Sequence, residues 1–234
     1  KKADLIIHSA AIQPSSSEID TNKYFDTNVK GTMNILILAK KLKVRKIIFS
    51  SSFSVYGTNC KNPIDENVQT MPQNFYGLTK ILSEKLLEFY SNKENINIII
   101  LRFDGIYGKG QNLPGMINYF KNKMLKNEKI KIFNGGKLKR NQVFINDAVQ
   151  SIILSIKKIS STKFKILNIG GKKPVSTKNI VKLLQKRFYT KSRVIYLKKK
   201  INFTKDKYLN INKAKNYLKY QPKDIEKVIK NYHI

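Results

Sequence analysis

Tyr76-Gly77-Leu78-Thr79-Lys80 sets a phenol and an ammonium four residues apart, a spacing that on a helix projects both side chains from one face. A cation beside a phenol favours the phenolate and draws a tyrosine down from its reference pKa of about 10. Tyr76 would then serve as a general base near neutral pH. The spacing has a background: twelve tyrosines and 41 lysines in 234 residues give about two such pairs by chance. The chain has three, Tyr76–Lys80, Tyr119–Lys123 and Tyr196–Lys200. A solvated lysine beside a packed tyrosine accounts for the last two. The first differs in its upstream context, Phe49-Ser50-Ser51-Ser52-Phe53-Ser54-Val55-Tyr56-Gly57. This run places hydroxyls just beyond the carboxyl end of a buried strand, the end at which open α/β sheets bind ligands.

The elements that must position these groups follow from periodicity. Asp4–Ile7 reads as a short buried strand, and Thr27–Leu42 carries Val29, Met33, Leu36 and Ile37 at helical spacing before the strand Lys46–Phe49. A long loop with Gly57, Pro63 and Pro72 leads to a helix over about 76–90, and Asn97–Leu101 is a second continuous apolar run. Beyond Gly108 the pattern gives a helix at Met116–Leu125, a strand at Ile130–Phe133 and a turn at Asn134-Gly135-Gly136. Val143–Ile145 precedes a helix started by Asp147 and running to about Ile159. Phe164–Ile169 is another strand, and Ser176 N-caps a helix reaching Lys186. Strands alternating with helices indicate an α/β fold with a parallel sheet, and the less regular stretch after Gly108 reads as an inserted lobe. The expected division is 1–108 with 141–172 for the sheet domain and 109–140 with 173–234 for the lobe.

Composition narrows the class. A hydrophobic content of 41% with 10% aromatics is that of a folded chain. No apolar stretch reaches bilayer length and the start lacks signal-peptide architecture, so no membrane partner is expected. Cys60 is the sole cysteine, which excludes an intrachain disulfide and points to a reducing cytoplasm. No pattern of metal ligands is expected. The net charge of +31 invites a nucleic-acid reading. Arginine, however, occurs only at 45, 102, 140, 187 and 193, and lysines are spread along the whole chain. Phosphate and base recognition favours arginine's planar fork, so the charge reads as compositional bias and nucleic acid is a disfavoured partner. The densest basic run, Lys198-Lys199-Lys200, is far in sequence from the chemistry.

The ordered set of motifs resembles the extended short-chain dehydrogenase/reductases of the NAD-dependent epimerase/dehydratase family, the UDP-glucose 4-epimerase-like enzymes. It comprises Asp4-Leu-Ile-Ile-His8-Ser-Ala-Ala11, Asn28-x-x-Gly31-Thr32 and Ser50-Ser-Ser-x-Ser-Val-Tyr-Gly57. Pro63…Glu66, Tyr76-x-x-x-Lys80-x-x-x-Glu84 and Leu101-Arg102-x-x-x-Ile106-Tyr107-Gly108 follow. Arg140-x-x-Val143-x-Ile145-x-Asp147, Asn168-Ile-Gly-Gly171 and Asn212-Lys-Ala214…Leu218 with Pro222 complete it.

The resemblance implies a Rossmann-type doubly wound parallel sheet with a small α+β substrate-binding lobe, and an NAD(P)-dependent nucleotide-sugar epimerase or related oxidoreductase, using NAD or alternatively NADP, with a nucleotide-sugar substrate and a homodimer as a candidate assembly. It assigns Tyr76 as acid/base, Lys80 to the nicotinamide ribose and Ser52 to the reacting sugar hydroxyl with Ser54 beside it. Asn28 supports the geometry and counts with Ala10, Ala11, Ser50 and Phe103 toward the dinucleotide, while Arg140 faces substrate phosphates. Phe53-Ser54 stands where the 4,6-dehydratase branch carries Asp-Glu, which argues against dehydration. Gly105 falls where many members have a substrate-facing asparagine, and only lysines such as Lys200 stand where many have a second phosphate-binding arginine. The family's G-x-x-G-x-x-G loop is not in the chain, whose first glycine is Gly31. The expectation is therefore a sheet truncated at its N-terminus, with the strand at residues 4–8 as an apolar edge. Two other readings compete: a non-catalytic truncated family member, and an RNA-binding protein on the same fold.

Overall fold

The computed structural model describes residues 3–14, 20–58, 60–111, 115–197 and 206–231; the Lys198–Lys200 run, and with it the second member of the Tyr196–Lys200 pair, lies outside them. The chain begins with strand β1 (Ile6–His8), then α1 (Thr21–Tyr24), a six-residue π-helical segment (Phe25–Lys30), α2 (Gly31–Lys41) and β2 (Lys46–Ser52). After α3 (Phe75–Glu94) come β3 (Asn97–Phe103), β4 (Ile106–Tyr107), α4 (Met116–Leu125), β5 (Ile130–Ile132), β6 (Lys139–Arg140) and β7 (Val143–Phe144). Next are α5 (Ile145–Lys158), β8 (Phe164–Ile169), β9 (Val175–Ser176), α6 (Thr177–Phe188), β10 (Val194–Tyr196), α7 (Asn212–Leu218) and α8 (Ile225–Asn231).

The central sheet has the order β1-β2-β3-β8, with every pairing parallel. Its middle strands are apolar on both faces because both are covered. Ile47, Phe49, Ile98 and Ile100 point to a cluster with Leu36 and Ala39 of α2 and Leu87 of α3. Their neighbours Ile48, Ile99 and Leu101 point the other way, to Ala148 of α5 and to Ala214 and Leu218 of α7. That alternation is the two-residue period of a strand used twice.

Three expected boundaries shift. The strand expected to end at Phe49 runs on to Ser52, because Ser50, Ser51 and Ser52 continue in register with Leu101, Arg102 and Phe103 of β3. The serines are thus the last rungs of the ladder, not residues beyond it. The helix expected at 27–42 starts at Thr21 under an Asp20 cap and passes through the π-helical segment, which no apolar periodicity reveals. The helix expected to start at Asp147 begins at Ile145 and holds Asp147 in its first turn, where a carboxylate suits the helix dipole. There Asp147 accepts from the Lys223 backbone amide. The Ser176 cap of α6 forms as expected, accepting from Asn179 N.

A second apolar cluster joins α4, α6 and α8 with the parallel pair β5–β10, through Phe120, Met124, Ile130, Leu184 and Val228. The expected lobe took in all of 173–234, but Leu209, Ile211, Ala214, Leu218 and Tyr220 pack in the cluster of the sheet. Among the described residues no helix is long and apolar enough to cross a membrane.

Candidate active site

Three features bring the catalytic candidates together at the carboxyl end of β2. Asn74 caps α3 by accepting from Gly77 N at 2.7 Å. Gly77 then lets the first turn of α3 lie against the 53–55 turn: a Cβ there would sit 2.4 Å from the Ser54 carbonyl oxygen. Ser52, at the end of its strand, accepts from Ser54 N at 3.1 Å. In consequence Tyr76 of the helix and Ser52 of the strand line one cavity, near enough for the Ser52 hydroxyl to favour the Tyr76 phenolate.

Lys80, one turn further along α3, is buried, and its ammonium donates to the Ser50 carbonyl at 2.8 Å. It lies 4.6 Å from the Phe49 ring centre and 5.9 Å from that of Tyr76. An ammonium carries three donors, and one protein acceptor leaves the others facing the cavity. Burial lowers the Lys80 pKa to about 8, against the opposing pull of Glu84.

The expected lowering of Tyr76 is not found. Burial pushes its phenol up to about 12, outweighing the hydrogen bond from Ser52, and Tyr24 adds to the rise. Desolvation of the anion exceeds the effect of an ammonium that is turned toward Ser50. Tyr76 therefore holds its proton at neutral pH.

These groups open on a cavity of about 700 Å³, lined by Ser9, Ala11, Ser50, Ser52, Ser54, Tyr76, Lys80 and Phe103, and also by Asp104, Gly105, Gln111 and Gln142. Ala10, Asn28 and Arg140 are not in this lining. Asn28 instead clamps the chain beneath it. Its Oδ1 accepts from Ile12 N at 2.8 Å, and its Nδ2 donates to Ile12 O at 3.1 Å and to Thr79 Oγ1 at 3.0 Å. Its carbonyl lies in the π-helical segment and accepts from Thr32 and Ser83. Arg140 donates to the backbone carbonyls of Lys139 and Lys207.

Several motif residues that carry no chemistry build the frame. Arg102 and Glu84, both buried, pair at 2.6 Å; Glu84 also accepts from Ser51. Arg102 donates onward to the Tyr56 hydroxyl at 2.8 Å, which donates to Asn168 at 2.8 Å, and the Asn168 amide N–H donates to Glu66. This chain of bonds ties β2, β3, β8 and α3 together directly beneath the site. His8, donor or acceptor to Thr32 at 3.0 Å, is brought down to about 4 by burial and by Lys80, and stays neutral.

The sequence reading did not single out Asp104, Gln111 or Gln142. Only the fold places Gln142, at the start of β7, against Gly105, at the end of β3.

A parallel sheet with a Ser–Tyr–Lys group at its carboxyl edge places the chain in a known class. Residues 1–170 match the model of the NAD dependent epimerase/dehydratase family, and the chain belongs to that family. It is 32% identical over 201 residues to a putative UDP-glucose 4-epimerase of Methanocaldococcus jannaschii, covering 84% of this chain and 65% of that protein. The chain thus spans just under two thirds of the length of that relative. The fold superposes with a TM-score of 0.88 on the UDP-glucuronic acid 4-epimerase of Bacillus cereus in complex with UDP-glucuronic acid and NAD, at 27% identity, covering 98% of this chain and 74% of that one. It superposes with a TM-score of 0.84 on the UDP-glucose 4-epimerase of Thermotoga maritima with UDP-glucose, at 25% identity, covering 97% of this chain and 75% of that one.

Proposed function

We propose that the protein is an NAD-dependent nucleotide-sugar epimerase in which Tyr76 exchanges a proton with a hydroxyl of the sugar. The observation that carries this reading is Ser52, Tyr76 and Lys80 gathered on one cavity at the carboxyl end of a parallel sheet, with Lys80 one helical turn from Tyr76. The small residues Ser9, Ala11 and Ser50 leave room for a dinucleotide, and the Lys80 ammonium, satisfied by a single carbonyl, has donors for ribose hydroxyls. Bound there, NAD would accept a hydride from the sugar and return it to the opposite face.

The residues do the rest. Ser52 holds the sugar hydroxyl beside the phenol, and Tyr76 takes and returns the proton. A cation beside the buried phenol favours the phenolate, and the nicotinamide of bound NAD would supply such a charge. Asn28 and the Glu84–Arg102 pair position the helix and strands that carry these groups.

Ser54 lies against Ser52 and contributes to the substrate side, and Ala10 and Phe103 belong to the dinucleotide side. Arg140 is assigned to substrate phosphate only if its guanidinium turns from the carbonyls it now serves. A homodimer is supported by the exposed row Leu78, Leu82 and Phe89 along one face of α3, a patch suited to a two-fold partner. The single free cysteine, Cys60, supports a cytoplasmic site of action.

The test is to incubate the intact protein with NAD and, separately, UDP-glucose, UDP-galactose and UDP-glucuronic acid, following the sugar configuration by NMR. Interconversion at one carbon without net consumption of NAD is expected. Failure to turn over any of them by the protein with bound NAD would reject the reading.

A further inference from the structure

His8 is a buried titratable group that the steps above leave unused. It closes β1 at the carboxyl end of the sheet, with 4% of its surface exposed. Its Nε2 lies 3.0 Å from Thr32 Oγ1, and Thr32 Oγ1 lies 2.6 Å from the Asn28 carbonyl oxygen. A carbonyl oxygen only accepts, and a threonine hydroxyl has one proton to give. That proton goes to Asn28, so the contact with His8 requires a proton on Nε2. Burial and the charge of Lys80 bring the imidazole down to about 4, which leaves Nδ1 bare at neutral pH.

The same bonds run on to the catalytic helix. Asn28 Nδ2 donates to Thr79 Oγ1 at 3.0 Å, and Thr79 Oγ1 donates to Tyr76 O at 2.8 Å. Asn28 lies in the π-helical segment, where ordinary winding does not set the direction of its side chain, so contacts from outside that segment must. Ile12 meets its side-chain amide, and Thr32 of α2 holds its carbonyl. The His8–Thr32 contact ties this helical run to the end of β1.

The groups facing His8 are Thr32 from α2, Phe49 from β2 and the charged Lys80 from α3. The His8 ring centre is 5.3 Å from that of Phe49, and the Lys80 ammonium is 4.6 Å from the same ring centre. An imidazolium here would be a second cation beside the first and would disfavour the ammonium.

We propose that His8 is a positioning residue for the Tyr76–Lys80 site, acting as a neutral imidazole with its proton on Nε2. That N–H orients Thr32, Thr32 holds the Asn28 carbonyl in the wide turn, and Asn28 then presents its amide to Thr79 beneath Tyr76. The effect on turnover rests on the nucleotide-sugar reading above.

Nitrogen-15 NMR of the intact protein reads the tautomer, with His8 told from His233 by the signal lost in His8→Gln. A protonated Nε2, a bare Nδ1 and no titration between about pH 5 and 8 are expected. A proton on Nδ1, or titration near the ordinary value of about 6.5, would overturn the proposal.

Three variants separate positioning from bulk. The amide N–H of glutamine reaches about as far as Nε2, that of asparagine only about as far as Nδ1, and leucine has none. With NAD and a UDP-sugar that the parent turns over, kcat is expected to fall about 10- to 100-fold in His8→Asn and His8→Leu and to be largely restored in His8→Gln, each assayed below its melting temperature. Parental kcat in His8→Asn and His8→Leu, or losses that follow melting temperature across all three variants, would sink the positioning role alone. If the parent with bound NAD turns over no UDP-sugar, the nucleotide-sugar reading falls and this inference falls with it.

Discussion

Arg102 and Glu84 meet at 2.6 Å with both side chains only 4% exposed. One stands on β3 and the other on α3, one turn beyond Lys80, so their pairing sets where the helix crosses the strand ends. Removing one partner leaves a buried charge uncompensated. Arg102→Met is expected to destabilise the protein by about 3–5 kcal/mol, read from chemical denaturation, and the double variant Glu84→Met with Arg102→Met to recover much of the loss. A single variant that unfolds with the parent would show that the pair contributes little.

Tyr76→Phe removes one oxygen and the proton it carries. In the intact protein, kcat is expected to fall by about 10²–10⁴-fold, with the circular dichroism spectrum and bound NAD retained. Lys80→Ala is expected to weaken NAD binding as well as turnover. Tyr119→Phe is the matched control: Tyr119 has a lysine four residues on but is 45% exposed, and Lys123 pairs with Glu128 instead. Should Tyr119→Phe abolish turnover and Tyr76→Phe spare it, the assignment would be wrong.

Lys80 sets a pH window. Its pKa in the folded chain is about 8, below the value of 10.5 for an unperturbed lysine. Between these values the unfolded chain holds a proton that the folded chain has lost, so the contribution of Lys80 to stability rises with pH from about 8 to 10.5. NAD affinity should move the other way, because the role proposed for the charged ammonium is donor to the ribose. Calorimetric titrations at successive pH values should show the dissociation constant rising above pH 8 in the parent and flat in Lys80→Met. A parent profile that is flat would remove the ammonium from the binding step.

The charge of +31 should act without selectivity. Binding to short RNAs is expected to be weak at about 150 mM salt, to fall steeply as salt is raised, and to ignore sequence. Fluorescence anisotropy with two RNAs of equal length and different sequence decides this. Nanomolar, sequence-selective binding would favour the RNA-binding reading.

Much of the fold was legible from short-range pattern. The runs at Asn97–Leu101 and Phe164–Ile169 are apolar throughout because both faces of their strands are covered, and Ser176 announces α6 by a cap that depends on its own few neighbours. What was not legible depends on distant partners. Ser50–Ser52 reads as a strand end until β3 supplies the pairing. Tyr76 reads as activated by Lys80, because spacing reports that two groups share a face but not that one is turned to Ser50 and the other buried. Glu84, Arg102, Tyr56 and Asn168 were visible as motif letters, yet their joint role appears only when β2, β3, β8 and α3 converge. Gln142 and Gly105 are 37 positions apart in the chain, and no local signal links them.

The π-helical segment at Phe25–Lys30 makes the first half of the site intolerant of a change in length. One residue in a helix amounts to about 100° of rotation, and the wide turn absorbs that offset between α1 and α2. Asn28 lies inside it, with Ile12 and Thr79 on its amide and Thr32 and Ser83 on its carbonyl. Shortening the segment by one residue, as by deleting Thr27, would restore ordinary helical winding and swing either Asn28 or the apolar face of α2 out of register. Substitutions at its exposed positions, such as Asp26 and Lys30, leave that phase unchanged, whereas a single-codon deletion shifts it. The segment works as a phase-setting spacer, and its length carries as much information as its residues.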